Sequence, residues 1–288
     1  MRALSGFYYV RSGEQLIQCR ARGRFRKDGL TPLVGDRVVV EESGGGDGTI
    51  RELLPRKNSF FRPAVANVDY LVMIVSAALP VTDPYLADRI TVRCEKNGCG
   101  VILVVNKCDL DPADRLYEIY AGTGYPVFRV SARTGEGILA LRDALRGKVC
   151  CFTGNSGVGK SSVINALAPG FAIPTGEVSE KLGRGRHTTR HVELFDLGDG
   201  TLLGDTPGFA SFGDEQETPI TAGELEGLFP EFAPYLGGCR FDDCTHRAEP
   251  ACAVRTAVDS GDIHKSRYTS YLRLYEEAAK LKAWEIEQ

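Results

Sequence analysis

The chain has 288 residues, of which 43% are hydrophobic and 25% are charged, and its formal net charge is −3 at pH 7. These values are ordinary for a globular protein of two or three domains. No apolar run approaches the roughly 20 residues that span a bilayer, and polar residues rather than a signal-peptide core follow Met1–Gly6. We therefore expect a soluble, cytoplasmic protein with no membrane partner.

Positive charge is concentrated in the first part of the chain. Residues 1–62 carry 12 Lys/Arg against 7 Asp/Glu, so this part has a charge of +5 and the remainder −8. A basic end on an acidic protein indicates a polyanionic partner, although a solvated basic surface gives the same excess.

Short strands separated by turns fill residues 1–60 and predict a small β-barrel of the oligonucleotide-binding kind. The predicted strands are Gly6–Val10, Gln15–Ala21, Asp36–Glu41 and Thr49–Leu53. Five basic residues lie along one strand-and-loop edge: Arg20, Arg22, Arg24, Arg26 and Lys27. Because alternate residues of a strand share a face, this stripe suits a phosphate backbone. The alternative is a dimerisation or docking barrel.

Beyond a predicted linker at Arg56–Pro63, strands alternate with helices. Val68–Ser76 and Val101–Val105 are near-continuous apolar runs, which are typical of strands buried on both faces. Tyr85–Glu95 can form a helix between them. This alternation predicts an α/β domain.

The tetrad Asn-Lys-Cys-Asp at residues 106–109 follows the second of these strands. In such a tetrad the Asp109 carboxylate can accept two hydrogen bonds from guanine, which adenine does not offer. The stem of Lys107 lies against the base, and Asn106 ties this loop to the phosphate-binding loop. Ser131 and Ala132 follow the next predicted strand, where a backbone N–H would meet the guanine oxygen.

The sequence Gly-Asn-Ser-Gly-Val-Gly-Lys-Ser at residues 154–161 has the pattern of a phosphate-binding loop. It lies between an apolar strand pattern and the helical pattern Ser162–Leu167. The glycines let backbone N–H groups point at a phosphate chain, and the helix start adds its positive dipole end. Lys160 can reach the β- and γ-phosphates, and Ser161 can ligate Mg²⁺. Together with the tetrad, this loop indicates GTP rather than ATP; the alternative is an ordinary Gly-rich turn.

Two later segments provide the remaining phosphate-sensing groups. The polar stretch 183–190 predicts a loop whose threonine completes the Mg²⁺ shell, with Thr189 as first choice and Thr188 as second. Asp-Thr-Pro-Gly follows at residues 205–208, where Asp205 would hold Mg²⁺ through water and the Gly208 N–H would sense the γ-phosphate. In an ordinary GTPase the phosphate loop comes first in the sequence. Here the tetrad and the Ser131–Ala132 pair precede it, so the motifs are circularly permuted. Such a permutation is tolerated because the two termini of a domain usually lie close together on its surface.

The nine cysteines do not form a disulfide framework. Three of them cluster with a histidine: Cys239, Cys244, His246 and Cys252. Four soft ligands suit a closed tetrahedral Zn²⁺ site; the alternative is a set of core cysteines with a surface histidine. The tail Tyr268–Trp284 has the spacing of an amphipathic helix.

These motifs, with the basic barrel before them and the cysteine cluster after them, resemble the ribosome small-subunit-dependent GTPase A (RsgA) family over essentially the whole chain. The resemblance implies an α/β fold with a circularly permuted P-loop GTPase domain at 63–217. An N-terminal OB-fold RNA-binding domain at 1–62 and a C-terminal, mainly helical zinc-binding domain at 218–288 would flank it.

The same resemblance implies GTP hydrolysis stimulated by the 30S subunit, in late maturation of that subunit. Expected partners are GTP, GDP, the 30S subunit and 16S rRNA, with one structural Zn²⁺ per chain, Mg²⁺ bound with GTP, and a monomeric state. The alternatives are a non-catalytic GTP-binding RNA adaptor and a GTPase of large-subunit assembly.

The expected site residues fall into three sets. GTP would be bound by Asn106, Lys107, Cys108, Asp109, Ser131, Ala132, Gly154, Asn155, Ser156, Gly157, Val158, Gly159, Lys160, Ser161 and Ser162. Magnesium would be held by Ser161, Thr189 and Asp205. The catalytic set is Lys160, Ser161, Thr189, Asp205, Gly208 and His187.

The residue after Asp-Thr-Pro-Gly is Phe209, where many GTPases carry the glutamine that orients the attacking water. Hydrolysis by the chain alone is therefore predicted to be slow. His187 is a candidate for the missing group, and ordering of the loops by the subunit is the alternative source of catalysis.

Overall fold

The computed structural model describes residues 2–4, 7–23, 25, 29–61, 64–170, 193–205 and 219–281. Its strands in those ranges are β1 Arg2–Leu4, β2 Phe7–Ser12, β3 Gln15–Ala21, β4 Val38–Gly44, β5 Asp47–Leu53, β6 Ser59–Phe60, β7 Val65–Ala66, β8 Tyr70–Ser76, β9 Gly100–Asn106, β10 Val127–Arg129, β11 Val149–Gly154, β12 Glu193–Asp196 and β13 Leu202–Asp205. Its α-helices there are α1 Pro84–Lys96, α2 Asp114–Ala121, α3 Ile138–Leu145, α4 Lys160–Leu167, α5 Ala253–Ser260 and α6 Lys265–Ala278. Short 3-10 helices span Leu225–Leu228 and Pro230–Tyr235.

A parallel sheet in the order β10-β9-β8-β11-β13 forms the centre of the fold, with β12 antiparallel beside β13. Alternate residues of β8 enter two different apolar clusters. Leu71, Met73 and Val75 pack with residues of α1 and α2, whereas Val72 and Ile74 pack with residues of α3 and α4. Both faces of the sheet are therefore covered, which confirms the α/β prediction and explains the continuous apolar run of β8.

The carboxyl ends of these parallel strands all meet at one edge of the sheet. Asn106, Gly154 and Asp205 are the last residues of β9, β11 and β13. The Asn-Lys-Cys-Asp tetrad, the phosphate loop and Asp-Thr-Pro-Gly each begin at one of these three residues. The fold thus collects motifs that are far apart, and permuted, in the sequence.

Five strands at the N-terminus pair in the order β1-β2-β3-β5-β4, with β3 and β5 parallel. Ile17, Cys19, Phe25 and Ile50 form their apolar core. This arrangement confirms the predicted small barrel of the oligonucleotide-binding kind. A single pairing of β1 with β12 makes the barrel continuous with the central sheet, and Arg11 forms an ion pair with Asp196 across that junction.

Two features of the N-terminal region differ from the sequence prediction. The turn between the strands predicted at Asp36–Glu41 and Thr49–Leu53 is shorter than expected, because β4 extends to Gly44 and β5 begins at Asp47. The predicted linker is not an open coil, since β6 pairs with β7 and the Arg56 guanidinium donates to the Asp36 carboxylate at 2.7 and 2.8 Å. These contacts fix the direction in which the chain leaves the barrel.

Part of the predicted basic stripe is described. The guanidinium carbon of Arg20 lies 4.7 Å from the centre of the Phe7 ring, and Arg22 lies 3.9 Å from the Glu41 carboxylate. Arg24, Arg26 and Lys27 lie outside the described residues.

The C-terminal region packs around aromatic residues, chiefly Phe229, Phe232 and Tyr271. The predicted tail helix begins earlier than expected, at Lys265, because the ring of His264 caps it by accepting the backbone N–H of Ser266 at 3.1 Å. It is helical to Ala278 and packs on α1. None of the described helices combines the length and apolar character needed to cross a bilayer.

Candidate nucleotide site and metal centre

The phosphate loop joins β11 directly to α4. Gly159 precedes the helix with φ of 93°, and a Cβ there would lie 2.3 Å from the amide nitrogen of Asn106. A Cβ at Gly154 would lie 2.6 Å from the carbonyl oxygen of Ile74. Both positions therefore require glycine for close approach, and Gly159 also for its left-handed conformation. Because α4 begins at Lys160, directly after this loop, the start of the helix is placed as in known anion-binding sites.

Asn106 connects three of the predicted segments. Its side-chain amide donates to the carbonyl of Val158 in the phosphate loop at 2.9 Å. Its side-chain oxygen accepts the backbone N–H of Ala132 at 3.1 Å. The side chain is buried, with 3% exposure. One residue thus holds the tetrad, the Ser131–Ala132 turn and the phosphate loop in fixed relation.

The Asp109 carboxylate is held from two sides. The hydroxyl of Ser131 donates to Oδ1 at 2.6 Å, and the guanidinium of Arg133 donates to Oδ2 at 2.8 Å. The Ser131 hydrogen bond is the main reason that the pKa of Asp109 lies below its usual value, and Arg133 contributes. The carboxylate is therefore ionised at neutral pH, as an acceptor for guanine N–H groups must be.

Lys107 adopts a left-handed backbone conformation, with φ of 70°. Its ammonium donates to the carbonyl of Leu79 at 2.5 Å, and Pro80 lies beside the phosphate loop, 3.3 Å from a Cβ placed on Gly157. The segment after β8 therefore touches both the tetrad and the phosphate loop. Sequence reasoning missed it, because a backbone carbonyl and a proline ring leave no motif.

The other predicted nucleotide residues are placed as follows. Asn155, Ser156, Ser161 and Ser162 lie in the phosphate loop and the first turn of α4. The Cys108 thiol donates to the Val105 carbonyl at 3.2 Å and packs against the apolar core.

The backbone of Asp205 lies beside Phe152 of β11, which brings the end of β13 next to the phosphate-loop strand. His187, Thr188, Thr189, Gly208 and Phe209 lie outside the described residues.

A second site is formed by Cys239, Cys244, His246 and Cys252, whose ligand atoms all lie within 4.8 Å of one another. The Nδ1 atom of His246 lies 3.5 Å from the Cys239 sulfur and 3.3 Å from the Cys252 sulfur. Three sulfurs and one imidazole nitrogen around a common centre can hold a metal ion.

The other ring nitrogen of His246 faces a carboxylate. Its Nε2 atom lies 2.9 Å from Oε2 of Glu226, and the histidine is buried, with 3% exposure. A carboxylate in this position fixes the tautomer so that Nδ1 is available as a ligand. Sequence reasoning did not predict Glu226, which lies 20 positions before His246.

This chain has a P-loop fold, and its Asn-Lys-Cys-Asp tetrad and Ser131–Ala132 turn precede the phosphate loop in the sequence. That arrangement defines a circularly permuted GTPase. Comparison with known proteins narrows this class: the RsgA GTPase family model matches residues 53–215, and the RsgA N-terminal domain model matches residues 1–50. The chain belongs to the RsgA GTPase family, which confirms the resemblance inferred from its motifs.

Similar proteins cover nearly the whole chain. The small ribosomal subunit biogenesis GTPase RsgA of Caldanaerobacter subterraneus subsp. tengcongensis is 44% identical over 96% of this chain and 94% of its own length. That of Geobacillus kaustophilus is also 44% identical, over 98% and 97%.

Two solved structures have the same fold. YjeQ from Thermotoga maritima superposes with a TM-score of 0.82 at 37% identity, covering 96% of each chain. YloQ, a circularly permuted GTPase, gives a TM-score of 0.78 at 34% identity, covering 97% of this chain and 93% of its own.

Proposed function

We propose that this chain binds GTP at the Asn106-centred pocket and hydrolyses it during maturation of the small ribosomal subunit. The observation that carries the proposal is the pair of hydrogen bonds by which Asn106 joins the phosphate loop to the guanine-recognition segments. The names of the curated relatives supply the biological setting.

One group of residues would bind the base of the nucleotide and another would bind its phosphates. The Asp109 carboxylate accepts the N1–H and 2-amino groups of guanine, and the stem of Lys107 lies against the base. Lys160 and the N–H groups at the start of α4 neutralise the phosphates. Magnesium would be held by Ser161, Asp205 and Thr189, where it supplies charge neutralisation at the β- and γ-phosphates.

Hydrolysis depends on the subunit in this proposal. Phe209 occupies the position after Asp-Thr-Pro-Gly and cannot orient a water molecule through a hydrogen bond. The missing positioning would come from His187 of this chain or, alternatively, from the subunit, which would order the loops that carry Thr189 and Gly208. The protein would be cytoplasmic and monomeric. It would bind 16S rRNA through its barrel while GTP is bound, and dissociate from the subunit after hydrolysis.

Turnover assays with ribosomal subunits test this function. We expect purified 30S subunits to accelerate GTP hydrolysis, and Lys160→Ala to reduce the stimulated rate at least about a hundredfold, because a charge-stabilising group is lost from the transition state. Lys148→Ala is a matched control, since that exposed lysine lies at the other end of β11 and should leave the rate unchanged.

The alternatives give different results in the same assay. If the wild type binds GTP but its rate with 30S subunits does not exceed the uncatalysed rate, the chain is a GTP-binding adaptor. If 50S rather than 30S subunits accelerate the wild type, the large-subunit assignment replaces this one.

We propose that the metal at the cysteine–histidine cluster is Zn²⁺. Three thiolates and one imidazole match the ligands of closed structural zinc sites, in which the metal contributes directly to folding. The bound metal would hold the segment from Cys239 to Cys252 in a fixed conformation. This would position the C-terminal region for docking on the small ribosomal subunit.

Metal analysis checks the zinc assignment. We expect one zinc per purified chain and nearly none in Cys252→Ser, because a buried ligand is lost. Glu226→Gln should retain zinc but release it to a chelator about 10- to 100-fold more readily, since the histidine loses its orienting carboxylate. Glu276→Gln, at an exposed position on α6, should behave as wild type; zinc-free wild type would contradict the assignment.

A further inference from the structure

Arg133 touches the residue that is proposed to select guanine. Its guanidinium donates to Oδ2 of Asp109 at 2.8 Å. The Arg133 side chain is 73% exposed, whereas that of Asp109 is 10% exposed. An exposed arginine therefore reaches inward over a nearly buried carboxylate, and the proposed recognition of guanine assigns no role to this arginine.

The turn that carries Arg133 is rigidly hydrogen-bonded. The backbone N–H of Ser131 donates to the carbonyl of Glu136 at 3.0 Å, and the N–H of Gly135 donates to the carbonyl of Ser131 at 2.9 Å. The Ser131 hydroxyl accepts the N–H of Thr134 at 3.2 Å while it donates to Asp109. The backbone position of Arg133 is thus fixed relative to the carboxylate.

The two contacts leave room for guanine. A carboxylate offers about four acceptor positions, two on each oxygen. Ser131 uses one on Oδ1 and Arg133 uses one on Oδ2, so each oxygen retains one. Guanine requires both oxygens at once, one for N1–H and one for the 2-amino group, and this demands a fixed carboxylate plane.

We propose that Arg133 is a positioning residue for guanine recognition, which holds the Asp109 carboxylate in the plane that meets both guanine donors. This inference rests on the proposed nucleotide site and adds a specificity-determining residue to it. Hypoxanthine lacks the 2-amino group, so it uses only one of the two oxygens. Arg133 therefore contributes more to binding of GDP than of IDP.

Calorimetric titration of the full chain with GDP and with IDP tests the proposal. We expect Arg133→Gln to weaken GDP binding about tenfold and to reduce the preference for GDP over IDP. Arg133→Lys should recover much of both, because an ammonium can still pair with Oδ2. The control is Arg146→Gln, which removes an exposed arginine paired with Asp143 on α3 and should leave both affinities unchanged.

Each other outcome overturns the inference. Tighter GDP binding by Arg133→Gln would mean that the arginine competes with guanine for Asp109. Equal weakening of GDP and IDP would mean that it only stacks on the base, and unchanged affinities would mean that it is solvated. Absence of GDP binding by the wild type would instead remove the nucleotide site itself, so the two failures are distinguishable.

Discussion

Replacing Arg267 with alanine should lower the free energy of unfolding by about 3–5 kcal/mol. Arg267 lies on α6 and is fully buried, with 0% exposure. Its guanidinium donates to Asp88 of α1 at 2.7 Å and to Glu231 at 2.6 Å. Glu231 belongs to the C-terminal region itself, so the contact with Asp88 is the one that joins this region to α1 of the GTPase domain.

The large effect follows from the two carboxylates that would remain. Asp88 and Glu231 have side-chain exposures of 0% and 3%, so neither can be rehydrated without disrupting the packing. Burial alone would lower the pKa of Arg267, but these two carboxylates outweigh it and raise that pKa well above its usual value. Removing the cation leaves buried charge without compensation, which costs far more than a surface pair.

Guanidinium chloride unfolding of the zinc-loaded chain measures this effect. Arg273→Ala is the matched control on the same helix: its side chain is 59% exposed, lies 3.5 Å from Glu277 and stacks on Tyr85 at 3.7 Å, so the loss should stay near 1 kcal/mol. Adding Glu231→Gln to Arg267→Ala should restore part of the stability. Equal losses for Arg267→Ala and Arg273→Ala would show that the buried network does not anchor the C-terminal region.

Asp109→Asn should change the base that the site prefers. The variant loses an anionic acceptor for two guanine donors, and hydrogen bonds to charged groups contribute about 1.5–3 kcal/mol each. GDP affinity should therefore fall at least about a hundredfold. XDP should bind more tightly than GDP, because xanthine offers a carbonyl at position 2 to the new amide N–H groups.

Titration of the variant with GDP and XDP measures both changes. Asp143→Asn serves as the control, since Asp143 of α3 is 57% exposed and pairs locally, with Arg146 directly after the helix. If Asp109→Asn keeps the GDP preference of the wild type, guanine is read by other groups and the site has been assigned to the wrong residues.

The motif-bearing elements could be predicted from the sequence because their signals are local. The apolar run of β8 and the glycine spacing of the phosphate loop report buried strands and close backbone approach directly. The four metal ligands are also close in sequence, so their spacing alone predicts that they form one group.

Helices α2 and α3 were missed because they lack the usual start signals. Each has eight residues. The residues before them, Ala113 and Gly137, are left-handed and provide no capping side chain. Their positions are set by packing against the sheet rather than by local preference.

The contacts that complete the sites were also outside the reach of sequence reasoning. A charged residue such as Arg267 is expected at the surface, and its burial depends on Asp88, which is 179 positions away. Arg133 and Glu226 likewise look like ordinary surface residues in the sequence. Their roles depend on Asp109 and His246, which the fold places beside them.

The central claim is that permuted segments of this chain build one guanine-nucleotide pocket, and a crystal structure with bound GDP and Mg²⁺ tests it most directly. We expect guanine N1 and its 2-amino nitrogen to lie within about 3 Å of the Asp109 carboxylate while the β-phosphate lies in the loop at residues 154–161. A β-phosphate in that loop with the base turned away from Asp109, or GDP bound elsewhere, would contradict it.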